Sequence, residues 1–170
     1  MDARERVIVC GIDGSPASQR ALEWAVGEAR YRGCRLRVVT AWTWDGVEGM
    51  MAPTTPADAR SQAEIVQRRA LLAALDGVEK PPEVERRLVN GRPSEALCTA
   101  GVDADMLVLG SRGHTTVHDV FVGSTSQRVI RHAGCPVVLL PDPRHVEHEM
   151  RRSRRRRVTM TEPPAATPMF

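Results

Sequence analysis

The sequence is poor in aromatic residues, has no paired cysteines and lacks long apolar runs. Aromatic side chains make up 4% of its 170 residues, so alanine, valine and leucine must build most of a core. The four cysteines, at positions 10, 34, 98 and 135, form no C-x-x-C pair, which disfavours disulfides and zinc sites. No apolar run approaches the roughly 20 residues of a membrane-spanning helix, and the charged N-terminus does not resemble a signal peptide. We therefore expect a cytoplasmic protein without membrane insertion.

Two common nucleotide fingerprints are also missing. A P-loop needs G-x-x-x-x-G-K-[ST], but no lysine follows Gly123. A dinucleotide-binding fold needs G-x-G-x-x-G at its first turn, where this chain has "GIDGS" at 11–15. These absences make a P-loop NTPase or a dinucleotide-dependent enzyme a poor interpretation.

The net charge of +3 is unevenly distributed along the chain. Residues 143–170 hold seven arginines against three glutamates, which leaves 17 basic and 18 acidic residues in 1–142, a net charge of −1. We predict one domain over 1–142 and a disordered, Arg-rich tail over 143–170, because the tail has few large apolar groups. The tail is expected either to contact a polyanion, such as a nucleic acid or an acidic surface, or to act only as a solubilising segment.

Strand-like and helix-like patterns alternate from residue 6 to residue 141, and a loop is expected at 43–57. Continuous β-branched runs predict buried strands, and apolar residues spaced three or four apart predict helices. The order βαβαβαβαβ favours an α/β fold with a mostly parallel sheet covered by helices. The predicted strands are 6–13, 34–42, 83–89, 104–110 and 135–141, and the predicted helices run from Pro16 to Gly33 and over 58–75, 93–101 and 124–134.

Small residues follow the first and fourth predicted strands. Asp13 lies at the end of the first strand, Ala41 near the end of the second, and Gly110 at the end of the fourth. Ligands of open parallel sheets bind beyond the carboxyl ends of the strands, and a helix N-terminus attracts anions. The helix beginning at Ser124 would add the hydroxyls of Ser124, Thr125 and Ser126. The pattern therefore predicts an anion site, although a tight connection with ordinary capping would have similar residues.

The histidines offer weaker candidates. His114 and His118, with Asp119 beside the second, could form a base or a metal site, but loop histidines are usually only solvated. His145 and His148 have a helical spacing that could bind a metal, yet a third ligand in register is missing from the sequence. We expect neither pair to form a catalytic or metal site.

The glycines carry a specific resemblance. Gly110, Gly113 and Gly123-Ser124 form G-x-x-G-x9-G-[ST], preceded by "DMLVLGSRG" and followed by "VIRHAGCPVVLLP". Together with "VIVCGIDGSPASQRALEWA" near the N-terminus, this pattern resembles the ATP-binding branch of the universal stress protein family over residues 5–141. The resemblance implies a three-layer α/β/α, Rossmann-like (adenine nucleotide alpha hydrolase-like) fold with a five-stranded parallel sheet of order 3-2-1-4-5.

The resemblance also implies a ligand and a site. The ligand would be ATP, alone or with Mg²⁺. The turn after the first strand and the backbone at Ala41 would flank the adenosine, and the glycine motif would hold the phosphates. The implied cofactor-binding residues are Gly11, Ile12, Asp13, Ala41, Gly110, Arg112, Gly113, Gly123, Ser124, Thr125 and Ser126.

The family pattern further implies a homodimer formed through the last strand, Pro136 to Leu140, and a regulated protein partner of unknown identity. Two features depart from it: Ala41 is smaller than the aliphatic residue common at this position, and the tail is no part of the family. The function predicted from the resemblance is an ATP-dependent regulator or switch in stress responses. Alternatives are a slow ATPase and an interaction module without nucleotide, and no catalytic residue is predicted.

Overall fold

The computed structural model describes residues 5–44, 55–111 and 122–141, in which strands and helices alternate as the apolar pattern predicts. The predicted tail at 143–170, residues 45–54 of the predicted loop, and the segment 112–121 lie outside the described residues. The strands are β1 (Val7–Gly11), β2 (Arg35–Trp42), β3 (Val84–Asn90), β4 (Met106–Gly110) and β5 (Val137–Leu140). The helices are α1 (Pro16–Arg32), α2 (Pro56–Leu75), α3 (Pro93–Ala100) and α4 (Ser124–His132).

The five strands form one parallel sheet in the order β3-β2-β1-β4-β5, which confirms the predicted fold class and strand order. The central strand, β1, pairs with β2 on one side and with β4 on the other; Ile8 lies between Leu36 and Met106. All five residues of β1 are buried. This explains its uninterrupted apolar sequence, because a central strand of a parallel sheet is covered on both faces.

Two hydrophobic clusters, one on each face of the sheet, give the protein its three layers. Alternate residues of a strand point to opposite faces, so Ile8 and Cys10 pack on one side while Val7 and Val9 pack on the other. The first cluster joins the sheet to α1 and α2, and the second joins it to α3 and α4. The connections after β1 and β4 therefore leave the sheet toward different faces.

Local capping sets where the first two helices begin. The hydroxyl of Ser15 accepts a hydrogen bond from the Ser18 amide, and Pro16 occupies the first turn. Gly33, with a left-handed φ of 62°, stops α1 directly after Arg32, as the sequence predicts. The prediction for α2 was wrong at its start. Thr55 caps that helix and Pro56 begins it, so α2 starts two residues before the predicted Asp58.

The ends of several strands differ from the predicted ends by one or two residues. The first was predicted to reach Asp13 but ends at Gly11, and the fourth begins at Met106 instead of residue 104. The third runs one residue further than predicted, to Asn90, which pairs with Trp42. A strand ends where its neighbour stops offering backbone partners, and the apolar pattern of a single segment does not contain that information.

A buried arginine on β2 ties together three parts of the chain. The Arg37 side chain is 7% exposed, and it donates to Glu85 at 2.8 Å and to the two carboxylate oxygens of Asp103 at 2.7 and 3.2 Å. It also donates to the carbonyl of Ala100 at 3.2 Å. The hydrogen bonds from Arg37 hold the pKa of both carboxyls below their usual range. The network fixes the turn after α3 against β2 and β3.

Gln67 on α2 is fully buried and is held by four hydrogen bonds. Its amide nitrogen lies 3.1 Å from the Val38 carbonyl, 3.0 Å from the Arg87 carbonyl and 3.2 Å from the Thr40 hydroxyl. Its amide oxygen accepts from the Arg86 guanidinium at 3.0 Å. A buried amide is tolerated when its donors and acceptor are satisfied, so Gln67 fixes α2 on the face of β2 and β3.

The described part of the chain also bears on membrane spans, cysteines and metal sites. None of its helices is long and apolar enough to cross a membrane. All four cysteines are free; Cys10 and Cys34 are buried, and burial raises the pKa of the Cys10 thiol far above its usual value. Within the same ranges, no group of three or more His, Cys, Asp or Glu side chains is placed to hold a metal ion.

Candidate functional site

A cavity of about 180 Å³ lies at the carboxyl edge of the sheet, where β1 and β4 end and α4 begins. The connections after these neighbouring strands lead to opposite faces of the sheet, which is the position where ligands of open α/β sheets bind. The described residues that line the cavity come from the strand ends and from the first turns of three helices. They are Gly11, Ile12, Asp13, Ser18, Val39, Ala41, Pro93, Leu97, Leu109, Gly110, Gly123, Ser124, Thr125 and Ser126.

The cavity brings together nine of the eleven residues predicted from the sequence to bind a cofactor. These are Gly11, Ile12, Asp13, Ala41, Gly110, Gly123, Ser124, Thr125 and Ser126. The other two, Arg112 and Gly113, lie outside the described residues, as do the candidate histidines at 114, 118, 145 and 148. Residues far apart in the chain therefore meet at one edge of the sheet, as the strand order requires.

The turn after β1 forms one rim of the cavity. The carboxylate of Asp13 accepts from the Ser15 amide at 2.9 Å, and Gly14 between them has a φ of 84°, which favours glycine. The buried Ser18 hydroxyl donates to the Ser15 carbonyl at 2.9 Å and lies 3.4 Å from the Asp13 amide nitrogen. Asp13 is thus held beside the N-terminus of α1 with its side chain exposed to the cavity and to solvent.

Gly110 has a packing role that the sequence did not show. A Cβ at this position would lie 2.6 Å from the carbonyl carbon of Ala17, 2.8 Å from the Ala17 Cβ and 2.8 Å from the Ser18 nitrogen. The end of β4 therefore lies directly against the first turn of α1. The glycine is required by this approach whether or not a phosphate is bound on the other side.

The N-terminus of α4 faces the cavity without a side-chain cap. Its N-cap residue is Gly123, and no acidic residue occupies its first turn. The Gly123 amide donates to the Ser111 carbonyl at 2.8 Å, which holds this end of the helix near β4. Because the first amides of a helix lack partners within it and carry partial positive charge, this end of α4 favours an anionic group.

The three hydroxyls of this turn are not equivalent. Ser124 is exposed and Thr125 is half-buried, whereas Ser126 is buried and its Oγ donates to the Gly110 carbonyl at 3.0 Å. The sequence placed all three together as phosphate donors. The structure shows that one of them already has a backbone acceptor.

Sequence reasoning missed the apolar wall of the cavity. Val39, Leu97 and Leu109 line it, and Pro93 stands at the start of α3. Leu97 and Leu109 come from different elements and meet above Gly11, whose hypothetical Cβ would lie 2.6 Å from Leu109 and 2.8 Å from Leu97. The only signal in the sequence was the apolar periodicity of α3, which marks a buried face but not the cavity it borders.

A wider, open cleft of about 850 Å³ lies at the opposite, amino edge of the sheet, among Arg30, Arg35, Lys80 and Glu83. It has charges of both signs, and Arg35 pairs with Glu5 at 2.7 Å and with Glu83 at 2.9 Å. The cavity at the carboxyl edge is the better candidate for a functional site, because it combines an apolar wall with a helix N-terminus. Such a combination suits a ligand with a flat apolar group and a negative charge.

A parallel sheet of this order, with a cavity at its carboxyl edge and an uncapped helix N-terminus in it, defines a doubly wound α/β protein with a site suited to an anionic ligand. The universal stress protein family model matches residues 5–141, so the chain belongs to that family. This confirms the family predicted from the glycine spacing and its flanks, while the ATP-binding branch stays a prediction.

Sequence similarity to other universal stress proteins supports this family assignment. A universal stress protein of Thermus aquaticus is 37% identical over 139 residues, which is 79% of this chain and 98% of that protein. One from Mycobacterium tuberculosis is 33% identical over 141 residues, again 79% of this chain, but 47% of the relative. The chain thus spans about half the length of that mycobacterial relative.

Solved structures of universal stress proteins have a similar fold. The fold is similar to that of a universal stress protein crystallised with cAMP, with a TM-score of 0.62 and 26% identity over 82% of this chain and 99% of the other. A universal stress protein from Lactobacillus plantarum matches with a TM-score of 0.57, 24% identity and the same 82% and 99% coverage. The second likeness shows the shared fold alone.

Proposed function

We propose that this universal stress protein binds an adenine nucleotide, with ATP as the favoured ligand, and works as a nucleotide-dependent regulator in stress responses. The observation that carries the proposal is the cavity at the carboxyl edge, where an apolar wall adjoins the free N-terminus of α4. Support also comes from the structural neighbour crystallised with cAMP, which shares 26% of its residues with this chain.

The two ends of the cavity suit the two ends of a nucleotide. Val39, Leu97 and Leu109 offer an apolar surface for a base, and Ala41 leaves room beside it. The first turn of α4 offers amides and the Ser124 hydroxyl for phosphate oxygens. Asp13, on the rim between them, is placed near the ribose in this arrangement, since a carboxylate accepts hydrogen bonds from sugar hydroxyls.

A regulatory role requires that nucleotide binding change a surface that a partner contacts. The edge strand β5 is a candidate, because its four residues, Val137–Leu140, are apolar and only half-buried in the single chain. An apolar sheet edge favours pairing with a second copy. We propose a homodimer through Pro136 to Leu140, tested by sedimentation of the protein with and without ATP.

Isothermal titration of the full chain tests nucleotide binding, with ATP, cAMP and adenosine as ligands and with Mg²⁺ present or absent. We expect saturable binding of ATP. Ala41→Phe fills the base end and should weaken ATP and adenosine alike by more than about tenfold, because a ring in the cavity excludes a ring of the ligand.

One further variant tests the phosphate end of the site, and another is the control for Ala41→Phe. Ser124→Asp places a negative charge at the phosphate end and should weaken ATP much more than adenosine. Val89→Phe is the matched control, because Val89 pairs with Ala41 on the neighbouring strand but does not line the cavity. Wild-type protein that shows no binding up to millimolar ATP, cAMP or adenosine would refute the proposal and favour an interaction module without nucleotide.

A further inference from the structure

The side chain of Ser126 is tied to the end of β4. Ser126 is 5% exposed, and its Oγ donates to the Gly110 carbonyl at 3.0 Å, across a sequence separation of sixteen residues. Both residues line the cavity at the carboxyl edge. The hydrogen bond therefore spans from the last residue of a strand to the first turn of the helix that faces the ligand.

We propose that Ser126 is a positioning residue of the nucleotide site: its hydroxyl holds the N-terminus of α4 in place and does not contact phosphate. The inference rests on the proposed nucleotide binding for its ligand, but the hydrogen bond that carries it is present in the protein alone. This role differs from the one predicted from the sequence, in which the hydroxyls of Ser124, Thr125 and Ser126 all contact the anion.

A serine hydroxyl has only one proton to donate, which supports a different role for Ser126 than for Ser124. It also has two lone pairs that accept hydrogen bonds. Phosphate oxygens only accept hydrogen bonds, so they need a donor. Because the Ser126 proton is directed to the Gly110 carbonyl, a phosphate oxygen approaching Ser126 Oγ would meet lone pairs. Ser124, which is exposed at the same helix end, does not have this restriction.

Two consecutive residues at the end of β4 anchor the start of α4. The Gly110 carbonyl accepts from the Ser126 side chain, and the Ser111 carbonyl accepts from the Gly123 amide at 2.8 Å. Ser111 is itself fixed, since its amide donates to the Leu140 carbonyl at 2.7 Å. The first turn of α4, which lines the cavity, is thus attached to the sheet at two places.

Gly110 also packs against α1, so the same residue places two helix ends. An added Cβ would touch the backbone of Ala17 and Ser18, while the carbonyl holds α4 through Ser126. Loss of the Ser126 hydroxyl should leave the α1 side unchanged and loosen the α4 side. The expected consequence is a nucleotide site whose phosphate end is misplaced.

The test compares Ser126→Ala with Ser126→Thr, which keeps the hydroxyl, and with Ser124→Ala. We expect Ser126→Ala to raise the Kd for ATP by about 3- to 10-fold, the range of one net hydrogen bond, and Ser126→Thr to restore most of the affinity. Adenosine binding should change by less than about twofold, because adenosine has no phosphate for the first turn of α4 to bind. Each Kd is measured well below the unfolding temperature of the variant.

Nuclear magnetic resonance separates a positioning role from direct contact. The ¹³C shift of the Gly110 carbonyl reports on its hydrogen bond and should differ between wild type and Ser126→Ala both without ATP and at saturating ATP. If that difference disappears when ATP is bound, the hydroxyl moves to the phosphate and the proposal is wrong. An unchanged Kd for ATP in Ser126→Ala also overturns it.

The outcome remains interpretable if the wild-type protein binds no nucleotide. The proposed function would then fail, while the Gly110 shift and the hydrogen exchange of the Gln127 amide, which donates to the Gly123 carbonyl at 2.9 Å, still test whether Ser126 holds the start of α4. Faster exchange of that amide in Ser126→Ala supports the positioning role in the protein alone. Equal exchange and an equal Gly110 shift in the two proteins would refute it.

Discussion

Replacing Gly110 by alanine should destabilise the protein even when no ligand is present. The new methyl group would lie 2.6 Å from the carbonyl carbon of Ala17 and 2.8 Å from both its Cβ and the Ser18 nitrogen. Two of these three atoms belong to the backbone of α1, so they cannot rotate out of the way as the end of a flexible side chain would. Relief of the clash requires α1 and β4 to move apart.

The size of the effect follows from two opposing contributions. Overpacking of a close contact in a core costs about 1–3 kcal/mol. Alanine lowers the entropy of the unfolded chain and gains about 0.4–1 kcal/mol where the backbone accepts it, and Gly110 does not have a positive φ that would prevent this. We therefore expect Gly110→Ala to lower the free energy of unfolding by about 1–2 kcal/mol in the absence of nucleotide.

Urea denaturation of the ligand-free protein, followed by circular dichroism, measures this difference. Gly27→Ala is the matched control: Gly27 lies within α1, and an added Cβ there would have no neighbour within 4 Å. That control should gain up to about 1 kcal/mol from helix propensity. If Gly110→Ala is as stable as wild type, the packing explanation is refuted, and the glycine is there for the ligand.

Two further perturbations test the polar networks around Arg37 and Gln67. In Asp103→Asn, stability should depend less on pH than in wild type. The pKa of Asp103 is lowered in the folded state by Arg37, so its contribution is present above the unfolded pKa of about 4 and is lost as pH falls through the lower folded pKa; equal slopes of unfolding free energy between pH 5 and 3 would contradict this. Gln67→Leu should cost about 1–3 kcal/mol in urea denaturation, because it leaves Arg86 without its amide acceptor and removes donors from three other groups. Gln67→Glu keeps an acceptor for Arg86 but sets a carboxylate oxygen against the Val38 and Arg87 carbonyl oxygens, so it should be no more stable than Gln67→Leu; stability equal to wild type would show that the amide donors contribute nothing.

The course of the chain was largely predictable, because its signals are local. Continuous apolar runs predicted the buried strands, the alternation of 83–89 predicted a strand nearer the sheet edge, and Ser15-Pro16 and Gly33 predicted both ends of α1. The start of α2 was missed even though Thr55-Pro56 carries the same kind of capping signal as Ser15-Pro16. Strand ends were less accurate, since they depend on the length of the neighbouring strand.

The location of the cavity was predictable for a different reason. In a parallel sheet the carboxyl ends of the strands lie at one edge, so the order of elements alone places Asp13, Gly110 and Ser124 near one another. The apolar wall was not predictable in this way. Leu97 belongs to α3 and Leu109 to β4, and only the packing of that helix on the sheet brings the two together over Gly11.

By itself, the sequence determined the α/β class, the order of strands and helices, the family and the edge of the sheet where Asp13, Gly110 and Ser124 meet, because these depend on periodicity, capping and short motifs. Only the tertiary structure decided what individual residues do at that edge. A glycine is needed at position 110 because α1 packs against it. Ser126 donates to the Gly110 carbonyl because the start of α4 lies beside the end of β4, although the two residues are sixteen apart in the sequence. Interactions of this kind arise from distant segments that meet in space, and no local pattern in either segment records them.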